Sequence, residues 1–398
     1  MTAKILETLH FIGTNDRHKT LFESNWPLPY GISYNSYLIK DTKTALLDTI
    51  EYGSDRSYME EVAGILDGRD LDYLVILHME PDHAGMIGEM LGRYPAATVV
   101  TNAKAIKLLE IYFPELDKNR MREVREGDTL ELGHHNLQFV MTPMVHWPES
   151  MMAYCNKENI LFSQDAFGTF GTLDGGIFDD EINLDYYKDE MLRYYTNIIG
   201  RFSSQVQKAL QKAVELPIRI ICPVHGPVWR TKPSVVFDWY RQWAASKGDT
   251  GVVLAYASMY GHTEKTADHI ARQLALNGIR NIRVFNVSNT HPSFILKEIW
   301  KYNGIVLGSC SYNTGMHPNM HHLCHEIEIM QPGNKKAFLF GGYSWSGGGL
   351  KNLRLFAQTM SEKHQWEVHS SGIEIPGNPT ALALESLNDP IAAYASTL

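Results

Sequence analysis

His78-Met79-Glu80-Pro81-Asp82-His83 sets four potential metal donors, two imidazoles with two carboxylates between them, directly after the apolar run Leu74–Leu77. Taken singly, such a residue is more often a satisfied core histidine or a surface charge. Several together at the end of an apolar strand point to a site, because loops at strand ends converge over a rigid sheet. The same pattern recurs three times further along. His146 follows the strand-like run Leu137–Thr142 in TPMVHWPES, Asp165 follows Ile160–Ser163 in LFSQDAFG, and His225 follows Ile218–Cys222 in CPVHGPV. Each is the first strong donor after an apolar strand, so one pocket can collect them all. His134, His135, Glu149 and Glu126 lie nearby in sequence, but in turns or on strand edges, where solvated roles are expected.

Around these motifs the first part of the chain alternates short strands with helices. Tyr37–Ile39, Ala45–Asp48, Leu74–Leu77 and Thr98–Thr101 read as strands; Arg56–Leu66, a stretch from about Ala84 to Gly92 and one from about Ala103 read as helices. A long helical region, about Leu184–Val214, precedes Ile218–Cys222. Composition shifts at Ser246–Thr250, and from there strand and helix alternate strictly. The strands are Val252–Ala257, Ile282–Asn286, Gly304–Gly308 and Lys336–Gly341. The helices are Glu264–Asn277, Ser293–Trp300, about Met316–Ile329 and about Gly349–Thr359. Strict alternation predicts a doubly wound parallel sheet. The expected domains are therefore 1–248 and 249–398.

Three loops of the second domain stand at successive strand ends. Ser258-Met259-Tyr260-Gly261-His262-Thr263 joins the first strand to the first helix; short hydroxyl residues and a glycine there suit a phosphate, which meets backbone N–H groups and the helix N-terminus. Alone, this S-x-x-G-x-T also fits an ordinary helix cap. The second loop is Gly308-Ser309-Cys310-Ser311-Tyr312-Asn313-Thr314-Gly315 and the third Gly341-Gly342-Tyr343-Ser344-Trp345-Ser346-Gly347. Glycines admit close approach of a flat ring, and Tyr or Trp can stack on it. Cys310 reads as a small packing residue, since no histidine or cation is patterned beside it. There is no G-x-x-x-x-G-K-[ST] and no G-x-G-x-x-G, so a nucleoside triphosphate and a dinucleotide are not expected.

Composition bounds the function class. A net charge of −9 argues against a nucleic-acid partner. No apolar run is long enough to span a bilayer, and MTAKILETLHFIG lacks the features of a signal peptide, so a cytoplasmic protein is expected. The four cysteines form no C-x-x-C pair, which excludes a cysteine-built zinc or iron–sulfur site within this chain.

H-x-[EH]-x-D-H, a later His, an Asp and a His in a V-H-G turn resemble the metallo-β-lactamase fold, in which a second His commonly stands where this chain has Glu80. Glu at that position, joined to a flavodoxin-like second half, resembles the flavodiiron proteins (A-type flavoproteins) over essentially the whole chain. The resemblance implies an α/β protein: an N-terminal metallo-β-lactamase-like αββα sandwich and a C-terminal flavodoxin-like doubly wound sheet. It implies a di-iron centre, in which His78, Glu80 and His146 hold one iron, Asp82, His83 and His225 the other, and Asp165 bridges; in the family the histidine matching His83 can be displaced from the metal. Carboxylate oxygen is harder than imidazole and supports iron. The charges agree: Glu80, Asp82, Asp165 and a bridging hydroxide neutralise two ferrous ions. FMN is implied by the three loops, through Ser258, Met259, Tyr260, Gly261, His262, Thr263, Ser309, Cys310, Ser311, Tyr312, Asn313, Gly315, Gly342, Tyr343, Ser344, Trp345 and Gly347. Tyr195, in RYYTNI, is expected to hold its hydroxyl near the irons.

The implied reaction is reduction of dioxygen to water, of nitric oxide to nitrous oxide, or both, with the irons re-reduced by FMN. The sequence does not choose between the gases. The implied electron donor is separate, a rubredoxin-like protein or a reduced deazaflavin, and the implied assembly is a head-to-tail homodimer or a dimer of such dimers. A zinc metallo-hydrolase with an accessory flavodoxin domain is the alternative; Glu80 and the flavin loops count against it. An electron carrier with a decayed metal domain is a third, opposed by the intact donor set.

Overall fold

The computed structural model describes residues 1–369 and 372–398 in full. The chain forms two compact units, Met1–Arg241 and Gln242–Leu398. The division falls inside the helix Pro233–Ala244, upstream of the compositional shift at Ser246–Thr250.

In the first unit, a seven-stranded sheet runs in the order Thr2–Lys4, Leu9–Asp16, Ile32–Lys40, Thr44–Leu47, Tyr73–Val75, Thr98–Thr101, Met121–Glu123. A five-stranded sheet runs Thr129–Glu131, Asn136–Met141, Met151–Cys155, Ile160–Gln164, Ile220–Pro223. One core joins them. Phe11, Tyr37, Ile39, Leu47 and Val75 from the first sheet pack with Leu137, Phe139, Met151, Ala153, Phe162 and Cys222 from the second. Each of the Val, Leu, Ile, Phe and Met side chains contributes about 1.5–3 kcal/mol when fully buried. The alternate residues Leu38, Leu46, Leu74 and Ile76 are buried as well, which is why these strands read as continuous apolar runs rather than as alternation.

Two parallel stretches set the site's position. Thr44–Leu47, Tyr73–Val75 and Thr98–Thr101 pair in parallel, and so do Ile160–Gln164 and Ile220–Pro223. Parallel neighbours end on the same side, so the loops carrying His78 to His83, Asp165 and His225 leave their sheets in register. The expected helix from Ala84 to Gly92 is two pieces, Pro81–Ala84 and Ile87–Arg93. The break is at Gly85, where a Cβ would stand 2.5 Å from the Tyr52 nitrogen and 2.7 Å from the Pro81 carbonyl. The expected run Leu184–Val214 is likewise divided: α-helix Leu184–Tyr194, a π-helical turn Tyr195–Ile199, a 3-10 turn Gly200–Phe202, then α-helix Ser203–Val214.

The second unit has five parallel strands in the order Ile282–Asn286, Asp249–Ala257, Tyr302–Tyr312, Lys336–Tyr343, Glu367–Pro376, with Gly315–Met316 paired to the end of the third strand in the chain. The last of these strands and the helices Ala381–Glu385 and Asn388–Ala395 extend the expected pattern. The first strand lies between the second and third, so the connections leave it in opposite directions. That is the topological switch point at which doubly wound sheets bind ligands. Helices His262–Leu276 and Asn388–Ala395 cover one face through Ala267, Ile270, Leu274, Ile391 and Tyr394, packed on Val252, Leu254, Val306 and Phe338.

Candidate metal centre and flavin cleft

All seven expected donors come together and all are buried: His78, Glu80, Asp82, His83, His146, Asp165 and His225. They form two groups of mutually close donor atoms, His78 with Glu80, His146 and Asp165, and Asp82 with His83 and His225. Asp165 stands between them. Its Oδ2 lies 3.1 Å from His78 Nε2 and 3.7 Å from His146 Nε2; its Oδ1 lies 3.2 Å from His83 Nε2 and 3.5 Å from His225 Nε2.

Local structure explains how each donor is held. Asp48, fully buried, accepts the Leu77 N–H at 2.7 Å and anchors the strand end before His78. Glu80 is the N-cap residue of Pro81–Ala84, and the proline fixes the first helical φ. The Thr49 N–H and hydroxyl both donate to the His83 carbonyl, at 2.8 and 2.6 Å. Gln164 ties two ligand loops together, its amide donating to the Val145 carbonyl and its oxygen accepting the Asp165 N–H at 2.6 Å. The His225 turn requires Gly226, whose φ is +78°; a Cβ there would sit 2.3 Å from Thr169 Cγ2. Asn35 and Ser33 secure the same turn, through Asn35 Nδ2 to the Gly226 carbonyl at 2.8 Å and the Gly226 N–H to Ser33 Oγ at 2.8 Å.

Tautomers are fixed from behind. His78 Nδ1 is 2.8 Å from Glu149 Oε1, and His225 Nδ1 is 2.7 Å from the Ser33 carbonyl. Each contact places the proton on Nδ1 and leaves Nε2 free to face inward, the arrangement of metal-binding histidines.

The donor set fits metal ions. Both oxygens of Asp82, Oδ2 of Asp165 and Nε2 of His225 are buried without a well-formed hydrogen bond, although Asp82 Oδ2 lies 3.3 Å from His225 Nε2 and Asp165 Oδ2 lies 3.1 Å from His78 Nε2. Atoms that approach this closely without aligning on one another converge on points between them. The electrostatics agree. Burial alone would lower His83, yet the carboxylates of Asp82 and Asp165 raise it to about 9. Burial opposes and the neighbouring carboxylates outweigh it at His78 and His146, which are raised, while burial is likewise overcome at Asp165, which His83 and His78 hold well below the usual carboxylate range. A site this negative favours bound cations.

Three expectations are corrected. Tyr195 turns away: its hydroxyl shares a hydrogen bond with Ser203 Oγ at 2.8 Å. Its neighbour Tyr194 donates instead to Asp165 Oδ1 at 2.8 Å and packs on His225, ring centroids 5.4 Å apart. Successive helical residues point about 100° apart, so the choice between them rests on how the helix is rotated, not on the sequence pattern. Glu149 is not solvated; it is buried on His78 and also accepts the Met79 N–H at 3.0 Å. His135 is buried too, with Nδ1 2.8 Å from Asp41 and Nε2 3.2 Å from Thr8 Oγ1. His134 is exposed and Glu126 pairs with Lys212 near the surface, as expected of them.

In the second unit a cleft opens at the switch point. Ser258, Met259, Tyr260, His262, Thr263, Cys310, Ser311, Gly342, Tyr343 and Ser344 line it, together with Thr266, Ile375, Gly377 and Pro379, which the sequence reading missed. Gly261, with φ +85°, caps the helix His262–Leu276, and its N–H donates to Ser258 Oγ at 3.1 Å. Gly342 has to be small, since a Cβ would stand 2.8 Å from Thr263 Oγ1. Ser309 lies beneath the lining, accepting the His317 N–H, and the Gly349 N–H donates to Ser311 Oγ, tying the second loop to the third. Gly315 and Gly347 are not on the cleft wall, and neither is Asn313, whose φ is +45°. Trp345 and Tyr260 are exposed, at 78% and 86%, and Tyr312 at 44%. Burial raises the Cys310 thiol, which fits a packing role.

A buried two-group metal site at the edge of a β-sandwich, with a flavodoxin-type cleft in a second unit, defines a metal- and flavin-dependent oxidoreductase. A family model described as "ODP family beta lactamase" matches residues 32–226, and the flavodoxin family model matches residues 254–367. The anaerobic nitric oxide reductase flavorubredoxin of Escherichia coli O1:K1 / APEC is 33% identical over 388 residues, covering 94% of this chain and 80% of that protein; the Shigella flexneri protein of the same name matches equally. The rubredoxin oxygen:oxidoreductase of Desulfovibrio gigas superposes with a TM-score of 0.95 at 29% identity, covering 100% of this chain and 98% of that one. The flavodiiron protein of Giardia intestinalis, at 24% identity and a TM-score of 0.92, shares the fold. The chain belongs to the flavodiiron protein family, and its cofactors are a di-iron centre and FMN.

Proposed function

We propose that this protein reduces dioxygen to water, nitric oxide to nitrous oxide, or both, at a di-iron site in residues 1–248 that receives its electrons from FMN bound in residues 249–398. The observation that carries this reading is the donor set. Asp165 reaches both donor groups with different oxygens, and a carboxylate, Glu80, stands 2.9 Å from His146 Nε2. An oxygen donor there suits iron better than the all-imidazole set suited to zinc. His78, Glu80 and His146 would hold one iron, Asp82, His83 and His225 the other, and Asp165 would bridge. When bound, the irons and the flavin supply the electrons and a Lewis acid for the gas.

The chain's own residues do the rest. Glu149 and the Ser33 carbonyl hold the imidazoles of His78 and His225 in one orientation. Tyr194 keeps Asp165 Oδ1 oriented by its hydroxyl. Phe22 and Phe170, packed around Tyr194 and His225, exclude water from that side. In the second unit the Ser258–Thr263 loop would take the FMN phosphate at the helix N-terminus. Cys310, Ser311 and Gly342 to Ser344 would form the walls around the ring.

The names of the relatives favour both gases and a rubredoxin as donor. The electrons would come from a rubredoxin-like protein or a reduced deazaflavin. A head-to-tail homodimer, or a dimer of dimers, would bring the FMN of one subunit to the irons of the other; the exposed Tyr260 and Trp345 at the flavin loops suit a covered surface. Among the described residues no helix is long and apolar enough to cross a membrane, in keeping with a cytoplasmic enzyme. Metal analysis of protein produced with iron and zinc both available tests the reading. About two irons per chain is the expected result; stoichiometric zinc with hydrolase activity would replace it with the metallo-hydrolase alternative.

A further inference from the structure

Away from the buried donor set, one helix of the second unit carries its own run of imidazoles. His317, His321, His322 and His325 stand on or just before Pro318–Met330. The helix is closed at both ends. His317 Nδ1 accepts the Asn319 N–H at 3.3 Å, and Gln331, with φ +58°, donates its N–H to the Ile327 carbonyl. Met320, Leu323, Cys324, Ile327 and Met330 are buried on the inner face, while His321 and His325 are exposed on the outer one. Residues four apart on a helix stand about 40° apart around its axis, with Cβ atoms about 5–6 Å from one another. Two imidazoles so placed can close on one ion at the usual metal–nitrogen distance of about 2.0–2.1 Å. The other two histidines are engaged. His317 serves the cap and lies against Tyr312, ring centroids 6.0 Å apart, and His322 Nε2 is 3.4 Å from Glu326 Oε1. Among the described residues, neither His321 nor His325 has a side-chain hydrogen bond or an ion pair.

We propose that His321 and His325 chelate one late transition-metal ion, of the class zinc, nickel or copper(II), on the surface of the second unit. Imidazole selects this class, whereas magnesium and calcium take oxygen donors. Both ligands come from one turn of a capped helix, so once the first has bound, the second binds within the same molecule and the two together hold the ion far better than either alone. Glu326, and the exposed Glu328 three positions beyond His325, make this face negative, which favours a cation. Water completes the coordination. No bond in the protein forms or breaks other than those to the metal. Zinc held here adds to the metal count of the protein without entering the buried donor set.

The test uses untagged, iron- and FMN-loaded protein, titrated calorimetrically with Zn2+ and Ni2+, and with Mg2+ as the control. His321→Ala, His325→Ala and His322→Ala are titrated alongside, and iron and FMN contents are measured before and after. About one zinc or nickel ion should bind per chain, and Mg2+ should not bind. His321→Ala and His325→Ala should each weaken the affinity at least about tenfold, because the chelate is lost, whereas His322→Ala should bind as wild type does. With Cu2+, electron paramagnetic resonance should show two nitrogen ligands in wild type and fewer in His321→Ala and His325→Ala. Unchanged affinity in both of those variants, an equal loss in His322→Ala, or zinc uptake that only matches iron released from the buried donors would overturn the site.

Discussion

Glu149→Ala removes the carboxylate that holds His78 from behind. Glu149 Oε1 accepts two donors, His78 Nδ1 at 2.8 Å and the Met79 N–H at 3.0 Å, and both lie in buried surroundings. Hydrogen bonds to a charged acceptor contribute about 1.5–3 kcal/mol each, and a buried donor left unsatisfied costs about 1–3 kcal/mol. The full loss is not expected, because Glu149 also borders a cavity lined by Asn102, Lys104, Pro148 and Ser150, from which water can reach the vacated donors. A net destabilisation of the metal-free protein of about 2–4 kcal/mol follows, and Glu149→Gln, which keeps a neutral acceptor, should cost less. The effect on iron is separate. Without Glu149 the His78 ring can rotate and change tautomer, and loss of such a partner lowers metal affinity about 10–100-fold. The pH dependence has a fixed sign. Burial would raise the Glu149 carboxyl, but its hydrogen bond with His78 and the His78 charge hold it below its ordinary value. Its contribution is therefore present above the unfolded carboxyl value, about 4.3, and is lost as the pH falls through the folded one. Urea unfolding of the metal-free protein gives the stability, and competition with a ferrous chelator gives the affinity. Wild-type values for both in Glu149→Ala would refute the reasoning.

Further outcomes follow from other contacts. Tyr194→Phe removes the hydroxyl from Asp165 and should lower kcat, whereas Tyr195→Phe, which removes the hydroxyl bonded to Ser203, should leave steady-state turnover near wild type; equal effects would contradict the placement. Although burial alone would lower His83, the carboxylates of Asp82 and Asp165 raise it to about 9, so in the metal-free protein its contribution is fully present below the unfolded value of about 6.5 and is lost as the pH climbs through 9; thermal melts across that range in a Lys335→Met background, which lacks the opposite trend of the buried Lys335, will show it. Gly342→Ala would drive a Cβ to 2.8 Å from Thr263 Oγ1 and should lower FMN occupancy in purified protein while iron content stays unchanged. Lys335 is buried with Nζ on the Tyr302 carbonyl at 2.7 Å, and burial lowers it to about 7. Its burial costs stability below the unfolded lysine value of about 10.4, increasingly so down to about pH 7. Lys335→Met should accordingly raise the melting temperature at neutral pH, and a lower one would contradict the account.

The fold was legible because apolar runs and their punctuation carry it. The strict strand–helix alternation after Thr250 corresponds to the doubly wound sheet, and each donor sits where its strand runs out, so His78, His146, Asp165 and His225 could be picked out without a structure. What was not legible depends on depth and rotation. Glu149 looks like a turn residue in HWPES, and only the fold buries it on His78. Tyr194 and Tyr195 are adjacent aromatics, and only the rotation of their helix decides which meets Asp165. The edge strands Thr2–Lys4 and Met121–Glu123 are short and largely polar, so they leave little pattern to read.

The central claim is that electrons held by the flavin and the two irons reduce a gas at the first unit's donor set. Stopped-flow mixing of fully reduced, iron- and FMN-replete protein with O2, and separately with NO, tests it most directly. The account predicts rapid flavin reoxidation with at least one gas, water rather than hydrogen peroxide from O2 or nitrous oxide from NO, and loss of that reaction in Glu80→Ala with FMN still bound. Flavin that stays reduced with both gases, or that reoxidises equally fast in Glu80→Ala, would contradict it.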